Sequence, residues 1–262
     1  MNNKRVAIIT GAYGAIGKAI AESIAKNHQY EVVLIGRDEE KLISAVHDIQ
    51  GDTLNQLVRY EVVDLSRKQS VEDLSNRWEG PLHVLVNNAA TTPRQRIETP
   101  DCIEMQFATN VLGYMWMINH MGKFMYDVQD SRIVNVASYW AGGLDFDDIE
   151  FKHRSYNNDT AYRQSKQANR MLSTAFSVKL SEKGIKVNAC HPGDVNSKLS
   201  NNLGFGGHES PATGAATPVW LAISEHAANF TGKYFEHMQQ VSCRFSNNKQ
   251  HLKQLYTLCE GY

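Results

Sequence analysis

Long apolar runs are missing from this 262-residue sequence. None approaches the ~20 apolar residues that a membrane helix needs, so no integral membrane segment is expected. The run nearest the start, Val6 to Ile9, is too short for a signal peptide and ends in glycines. Neither sign of charge is in excess: 27 basic against 28 acidic residues give a formal net charge of −1. With no basic surplus to meet a phosphate backbone, nucleic acid is not an expected partner. Cysteine is scarce. Cys102, Cys190, Cys243 and Cys259 lie far apart with no CxxC pair, so neither a disulfide framework nor a metal site is expected, and reduced thiols point to a cytoplasmic location. No repeat and no low-complexity linker divides the chain, so residues 1–262 are read as one domain, a length one α/β unit can fill.

What is there is an alternation. Apolar runs at Arg5–Thr10, Glu31–Gly36, Leu57–Val63, Leu82–Asn87, Arg132–Ala137 and Ile185–His191 are separated by stretches of helical spacing, among them Ala15–His28, Asp38–Gln50 and Arg67–Glu79. Such alternation predicts βαβ units, and right-handed crossovers then give an α/β, doubly wound parallel sheet of Rossmann type with helices on both faces. Two long helices stand out. One is expected to open at the cap-like Thr99-Pro100 and run towards Asp127, the other to span about 159–183 and stop before Gly184.

Between the first strand and the first helix lies Thr10-Gly11-Ala12-Tyr13-Gly14-Ala15-Ile16-Gly17. Small residues there let the backbone turn tightly and approach a pyrophosphate, while the helix start supplies free N–H groups and positive potential. The second strand ends Ile35-Gly36-Arg37. A carboxylate at that point would bind ribose hydroxyls and favour NAD; glycine followed by Arg37 suits a 2′-phosphate, and therefore NADP(H). Asp64 and Leu65 close the third strand, where a carboxylate can take the adenine amine and an apolar side chain can wall the ring. Asn87-Asn88-Ala89-Ala90 closes the fourth; asparagines at a buried strand end demand hydrogen-bond partners.

Tyr162 and Lys166 stand at i, i+4 on one predicted helix, one turn apart on the same face. A phenol with a pKa near about 10 is a poor acid–base group at neutral pH, and a neighbouring ammonium lowers it. Ser138 ends the fifth strand, where the ligand crevice of a doubly wound sheet opens. Asn110, a poor helix former, sits inside the long helix after the fourth strand. The segment 139–161 and the loop 198–210 are expected to wall a substrate pocket. Their mix of Trp, Phe and Leu with polar residues suggests a partly apolar carbonyl or alcohol, and the glycines at 204, 206 and 207 suggest a lid.

The order of these pieces along nearly the whole chain, with Pro192-Gly193 after the sixth strand, resembles the short-chain dehydrogenase/reductase family. That resemblance implies an NADP(H)-dependent oxidoreductase acting on a small carbonyl or alcohol substrate. Tyr162 would be the general acid–base, Ser138 the donor that polarises the carbonyl, Lys166 the cofactor anchor, and Asn110 the holder of a relay water. Val195 would offer its backbone to the nicotinamide amide, and Ser197 stands where a threonine is usual. Within the family the chain is similar to the retinol dehydrogenase and WW-domain oxidoreductase branch: Tyr162 follows Ser138 by 24 positions, and His191-Pro192-Gly193, Arg37 and Gly232-Lys233-Tyr234-Phe235 agree. A homodimer through the two long helices is also suggested. Two departures are Ala15, for the middle glycine of the turn, and Ala90, for a usual glycine. The resulting TGxxGxxG spacing leaves a sugar-nucleotide epimerase as a rival reading. A non-catalytic cofactor-sensing protein on the same fold is another.

Overall fold

The computed structural model describes residues 4–262. Eight strands form one sheet: β1 (Arg5–Thr10), β2 (Tyr30–Gly36), β3 (Val58–Val62), β4 (Val84–Asn87), β5 (Arg132–Val136), β6 (Lys186–Cys190), β7 (Tyr234–Glu236) and β8 (Gln239–Val241). Their order is β3-β2-β1-β4-β5-β6-β7-β8; all neighbours are parallel except β7 and β8. The central strands are buried on both faces, so they read as continuous rather than alternating apolar runs.

The helices are α1 (Ala15–Ala25), α2 (Glu39–Thr53), α3 (Lys68–Arg77), α4 (Gly113–Met121), α5 (Asn158–Lys179), α6 (Lys198–Leu203), α7 (Pro211–Ile223) and α8 (Lys249–Glu260). One core layer packs α1, α2 and α7 on Ala7, Ile9, Leu34 and Val86. The other packs α3, α4, α5 and α8 on Ile8, Val33, Leu85 and Ile133. Polar side chains inside the sheet are tied to one another. Asn87 Nδ2 donates to Asn135 Oδ1 at 2.9 Å and Asn135 Nδ2 to Ser173 Oγ at 2.8 Å, which joins β4, β5 and α5.

One expectation needs correction. The long helix does not open at Thr99-Pro100. There Thr99 Oγ1 accepts from the amides of Asp101 and Ile103 to make a local turn. The helix starts at Met105, capped by Glu104, whose buried carboxylate accepts from Gln106 N and Phe107 N at 3.0 and 2.7 Å. It runs through a π-helical stretch, Phe107–Leu112, into α4. The packing of α5 bears on the suggested homodimer. Part of α5 is covered by the chain's own end: α8 lies on α5, Phe176 meets Tyr256 edge-on at 5.4 Å, and Phe107 meets Tyr262 at 5.3 Å. Burying those rings against α8 stabilises the monomer by roughly 1.5–3 kcal/mol per aromatic side chain, and a dimer on this face would have to give that up. Sedimentation velocity at micromolar concentration is therefore expected to show a monomer; a dimer lost on substituting exposed residues of the α4–α5 face would contradict this packing.

Candidate active site

The C-terminal ends of β1, β4, β5 and β6 bring the sequence-predicted residues to one edge of the sheet. At β1, Gly11 has φ +64°, and a Cβ there would fall 2.8 Å from Ala89 Cα; only glycine lets the turn lie on the β4 end. A side chain at Gly17 would collide with Gly11 O, so α1 enters directly under the turn. Thr10 Oγ1 accepts from Asn88 N at 2.9 Å and Ala89 N at 3.1 Å, and Asn88 Nδ2 donates to Thr10 O at 2.9 Å. Thr10, Asn88 and Ala89 thus lock the two strand ends together. Gly14 is the cap of α1, and Ala15 and Ile16 form its first turn.

At the end of β2, Tyr13 covers Gly36 so closely that any Cβ at 36 would strike its ring. A carboxylate therefore cannot stand there. Arg37 beside it is exposed and has no ion-pair partner among the described residues. Asp64 is half-buried and accepts from Ser66 through one oxygen, Oδ1, with the amide at 3.0 Å and the hydroxyl at 2.7 Å; Leu65 next to it is buried. Asn87 Oδ1 is buried without a partner.

On the catalytic side, Ser138 and Tyr162 are both buried, with the Ser138 hydroxyl placed to favour the Tyr162 phenolate. Trp140 N donates to Ser138 Oγ at 3.1 Å. Lys166 Nζ donates to Val136 O at 2.8 Å and lies 5.7 Å from the centre of the Tyr162 ring. Asn110 lies in the π-helical stretch. Its Oδ1 accepts from Thr91 N at 2.8 Å, and its Nδ2 donates to Thr91 O at 3.1 Å and Ser165 Oγ at 3.2 Å. Ser165 Oγ in turn donates to Tyr162 O at 2.7 Å. The Asn110 side chain braces the Tyr162 helix against the β4 loop.

Burial pushes the Tyr162 phenol up to about 12; the Ser138 hydroxyl pulls it down, while Asp194 and Tyr139 push it further up. Burial brings the Lys166 ammonium down to about 7. The ammonium is turned to Val136 O and lies 5.7 Å from the centre of the Tyr162 ring.

Beyond Ser138 the pocket wall is aromatic. Trp140 meets Phe205 edge-on at 4.5 Å, which seats the 198–210 loop on the 139–161 segment. Ser197 forms a capping box with Ser200 at the start of α6. Pro192 and Gly193 lead into buried Val195, which bridges to Glu209. Gly207 has φ +75°, and a side chain there would strike the Val195 carbonyl.

The family model described as short chain dehydrogenase matches residues 5–205. The chain belongs to the short-chain dehydrogenase family. It is accordingly an oxidoreductase that binds a nicotinamide cofactor. Among curated relatives it is 34% identical over 256 residues to mouse (Mus musculus) retinol dehydrogenase 13, covering 90% of this chain and 76% of that protein. It is 31% identical over 261 residues to mouse retinol dehydrogenase 12, covering 94% and 82%. Among solved structures, an uncharacterised protein of Mycobacterium Paratuberculosis superposes with a TM-score of 0.82 at 25% identity, over 98% of this chain and 92% of that one. These relatives agree with the retinol dehydrogenase-like branch read from the motifs.

Sequence reading did not single out Tyr139, Asp194 or Glu209, although Tyr139 and Glu209 fall in the two segments expected to wall the pocket. Tyr139 OH donates to Asp194 Oδ2 at 3.2 Å, and Glu209 Oε2 accepts from Asp194 N at 2.7 Å. The one available signal was an acidic residue directly after Pro192-Gly193.

The state of Lys166 has a consequence for stability. Between pH about 7 and 10.5 the unfolded chain holds a proton on this lysine that the folded chain has lost, so stability rises with pH across that window. Thermal melts of the cofactor-free protein should show this rise, and Lys166→Met should flatten it. An unchanged slope in the variant would show that the ammonium is not desolvated.

Proposed function

We propose that this chain transfers a hydride between NADP(H) and a carbonyl or alcohol, the organic substrate being a partly apolar ketone or aldehyde in the reductive direction. The observation that carries this reading is the buried Ser138–Tyr162 hydroxyl pair, with Lys166 one helical turn away at the edge of a glycine-lined crevice.

The residues present fit such a cofactor. The Gly11–Gly17 cradle would be filled by any Cβ at its two tightest points. Arg37 is an unpaired cation beside a position where a carboxylate is sterically excluded, which favours a 2′-phosphate. Asp64 retains acceptor capacity on Oδ2 for an adenine amine, and Lys166 can reach ribose hydroxyls with the donors it does not use on Val136. When bound, the nicotinamide supplies or takes up the hydride.

The chain's own residues do the rest. As charge grows on the substrate oxygen, the Ser138 hydroxyl and the Tyr162 phenol donate to it, both held in place by burial before the reaction. Tyr162 delivers the proton in reduction and removes it in oxidation. Held up at about 12 by burial, the phenol is a proton reservoir at neutral pH, suited to the reductive direction. Trp140 and Phe205 exclude water from the reacting centre.

The polar constellation, not the fold, favours this over a sugar-nucleotide epimerase or a non-catalytic sensor. Asn110, Ser138, Tyr162 and Lys166 are all present and are joined through Ser165 and Val136.

Two variants test the proposal. Tyr162→Phe keeps the ring and removes the acid; turnover is expected to fall by about 10² or more, while NADPH affinity stays within a few-fold. Near-normal turnover would refute the proton-transfer role. Arg37→Ala should weaken NADPH by about 1.5–3 kcal/mol, the scale of a charged hydrogen bond, and leave NADH nearly unaffected. Equal losses in fluorescence titrations with the two cofactors would overturn the NADP(H) assignment.

A further inference from the structure

Beside the buried floor of the site lies an open acidic rim that the proposed chemistry does not use. Tyr139 follows Ser138 in the chain, and Asp194 stands between Gly193 and Val195. Their side chains meet at 3.2 Å, the Tyr139 hydroxyl donating to Asp194 Oδ2. Both are open to solvent, Tyr139 at 42% and the Asp194 side chain at 30%, whereas Ser138 and Tyr162 are buried. Tyr139 directly follows Ser138, so the rim lies next to the buried pair. Asp194 is also close enough to push the Tyr162 phenol upward.

The rim carries negative charge that no Lys or Arg among the described residues neutralises. Asp194 has one possible ionic partner, His191 Nε2 at 3.9 Å, and burial holds that imidazole below its usual pKa, against the pull of Asp194, Glu236 and Glu209. His191 Nδ1 is buried without a partner, and its ring stands edge-on to Tyr139 at 4.6 Å. Glu209 adds a second carboxylate. It occupies the space that a side chain at Gly193 would fill, and its Oε2 holds the Asp194 amide at 2.7 Å. Asp194 is thus fixed at its backbone, while its side chain stays partly exposed.

We propose that Asp194, positioned by Tyr139 and Glu209, is a specificity residue whose carboxylate accepts a hydrogen bond from a hydroxyl or ammonium group carried next to the reacting carbonyl. The same charge rejects substrates that carry a carboxylate at that place. An accepting carboxylate gains a charge-assisted bond from either donor, while a substrate carboxylate meets like charge with no cation nearby. The inference deepens the carbonyl-reductase reading and rests on it.

The test is a matched panel on purified protein with NADPH: one ketone unsubstituted, and the same ketone bearing an adjacent hydroxyl, ammonium or carboxylate group. In the wild type, kcat/KM for the hydroxyl or ammonium compound should exceed that for the unsubstituted ketone by about tenfold or more, and the keto acid should be poorest. The hydroxyl and ammonium arms show which donor is preferred. Asp194→Asn should collapse the ratio of donor-bearing to unsubstituted ketone. Equal rates for all four wild-type arms, preference for the keto acid, or an unchanged ratio in Asp194→Asn would each overturn the proposal. The wild-type arms stand even if the variant does not fold. No NADPH oxidation with any ketone would instead contradict the reductase reading itself, and this inference with it.

Discussion

A single buried hydrogen bond, from the Lys166 ammonium to the Val136 carbonyl, sets the geometry on which the rest of the site depends. Val136 is the last residue of β5, two positions before Ser138, and Lys166 is one turn after Tyr162 on α5. The bond therefore fixes the helix to the strand end at the point where the two hydroxyls must meet. It comes at a cost, since a buried ammonium with one recorded acceptor is poorly solvated, which is why its pKa falls to about 7. Asn110 and Ser165 support the same helix from its other side, so Tyr162 is held by two separate sets of contacts.

The nucleotide side depends on size rather than charge. Gly11 lies against Ala89, Gly17 under Gly11, and Gly36 under Tyr13. In each case the absence of a side chain brings two backbone segments, or a backbone and a ring, into contact. Ala15, which departs from the family's usual glycine, falls in the first turn of α1, where no such approach is required. Tyr13 adds a steric reason for the glycine at 36: the ring that covers it leaves no room for an acidic side chain.

The central sheet and the placing of Tyr162 and Lys166 on one helical face were legible in the sequence because both have local signals. Strands buried on two faces are continuous apolar runs, and the i, i+4 pair of Tyr162 and Lys166 announces a shared helical face. What was not legible depends on contacts distant in sequence. β7 and β8 have three residues each, and β8 is wholly exposed, so neither carries a periodic pattern. Thr99-Pro100 imitates a helix cap, but the carboxylate of Glu104 makes the real one. The covering of α5 by α8 needs Phe176 to meet Tyr256, and the acidic rim needs Tyr139 to meet Asp194 across 55 positions.

The central claim is that this constellation carries out hydride transfer to a carbonyl. It is tested most directly by following the hydride. Purified protein is incubated with NADPH bearing deuterium at both C4 positions and a panel of ketones and aldehydes, and the products are examined by mass spectrometry and NMR. The account predicts an alcohol with one deuterium on the former carbonyl carbon, formed with one equivalent of NADPH consumed. Saturable NADPH binding with no deuterium in any product would contradict it.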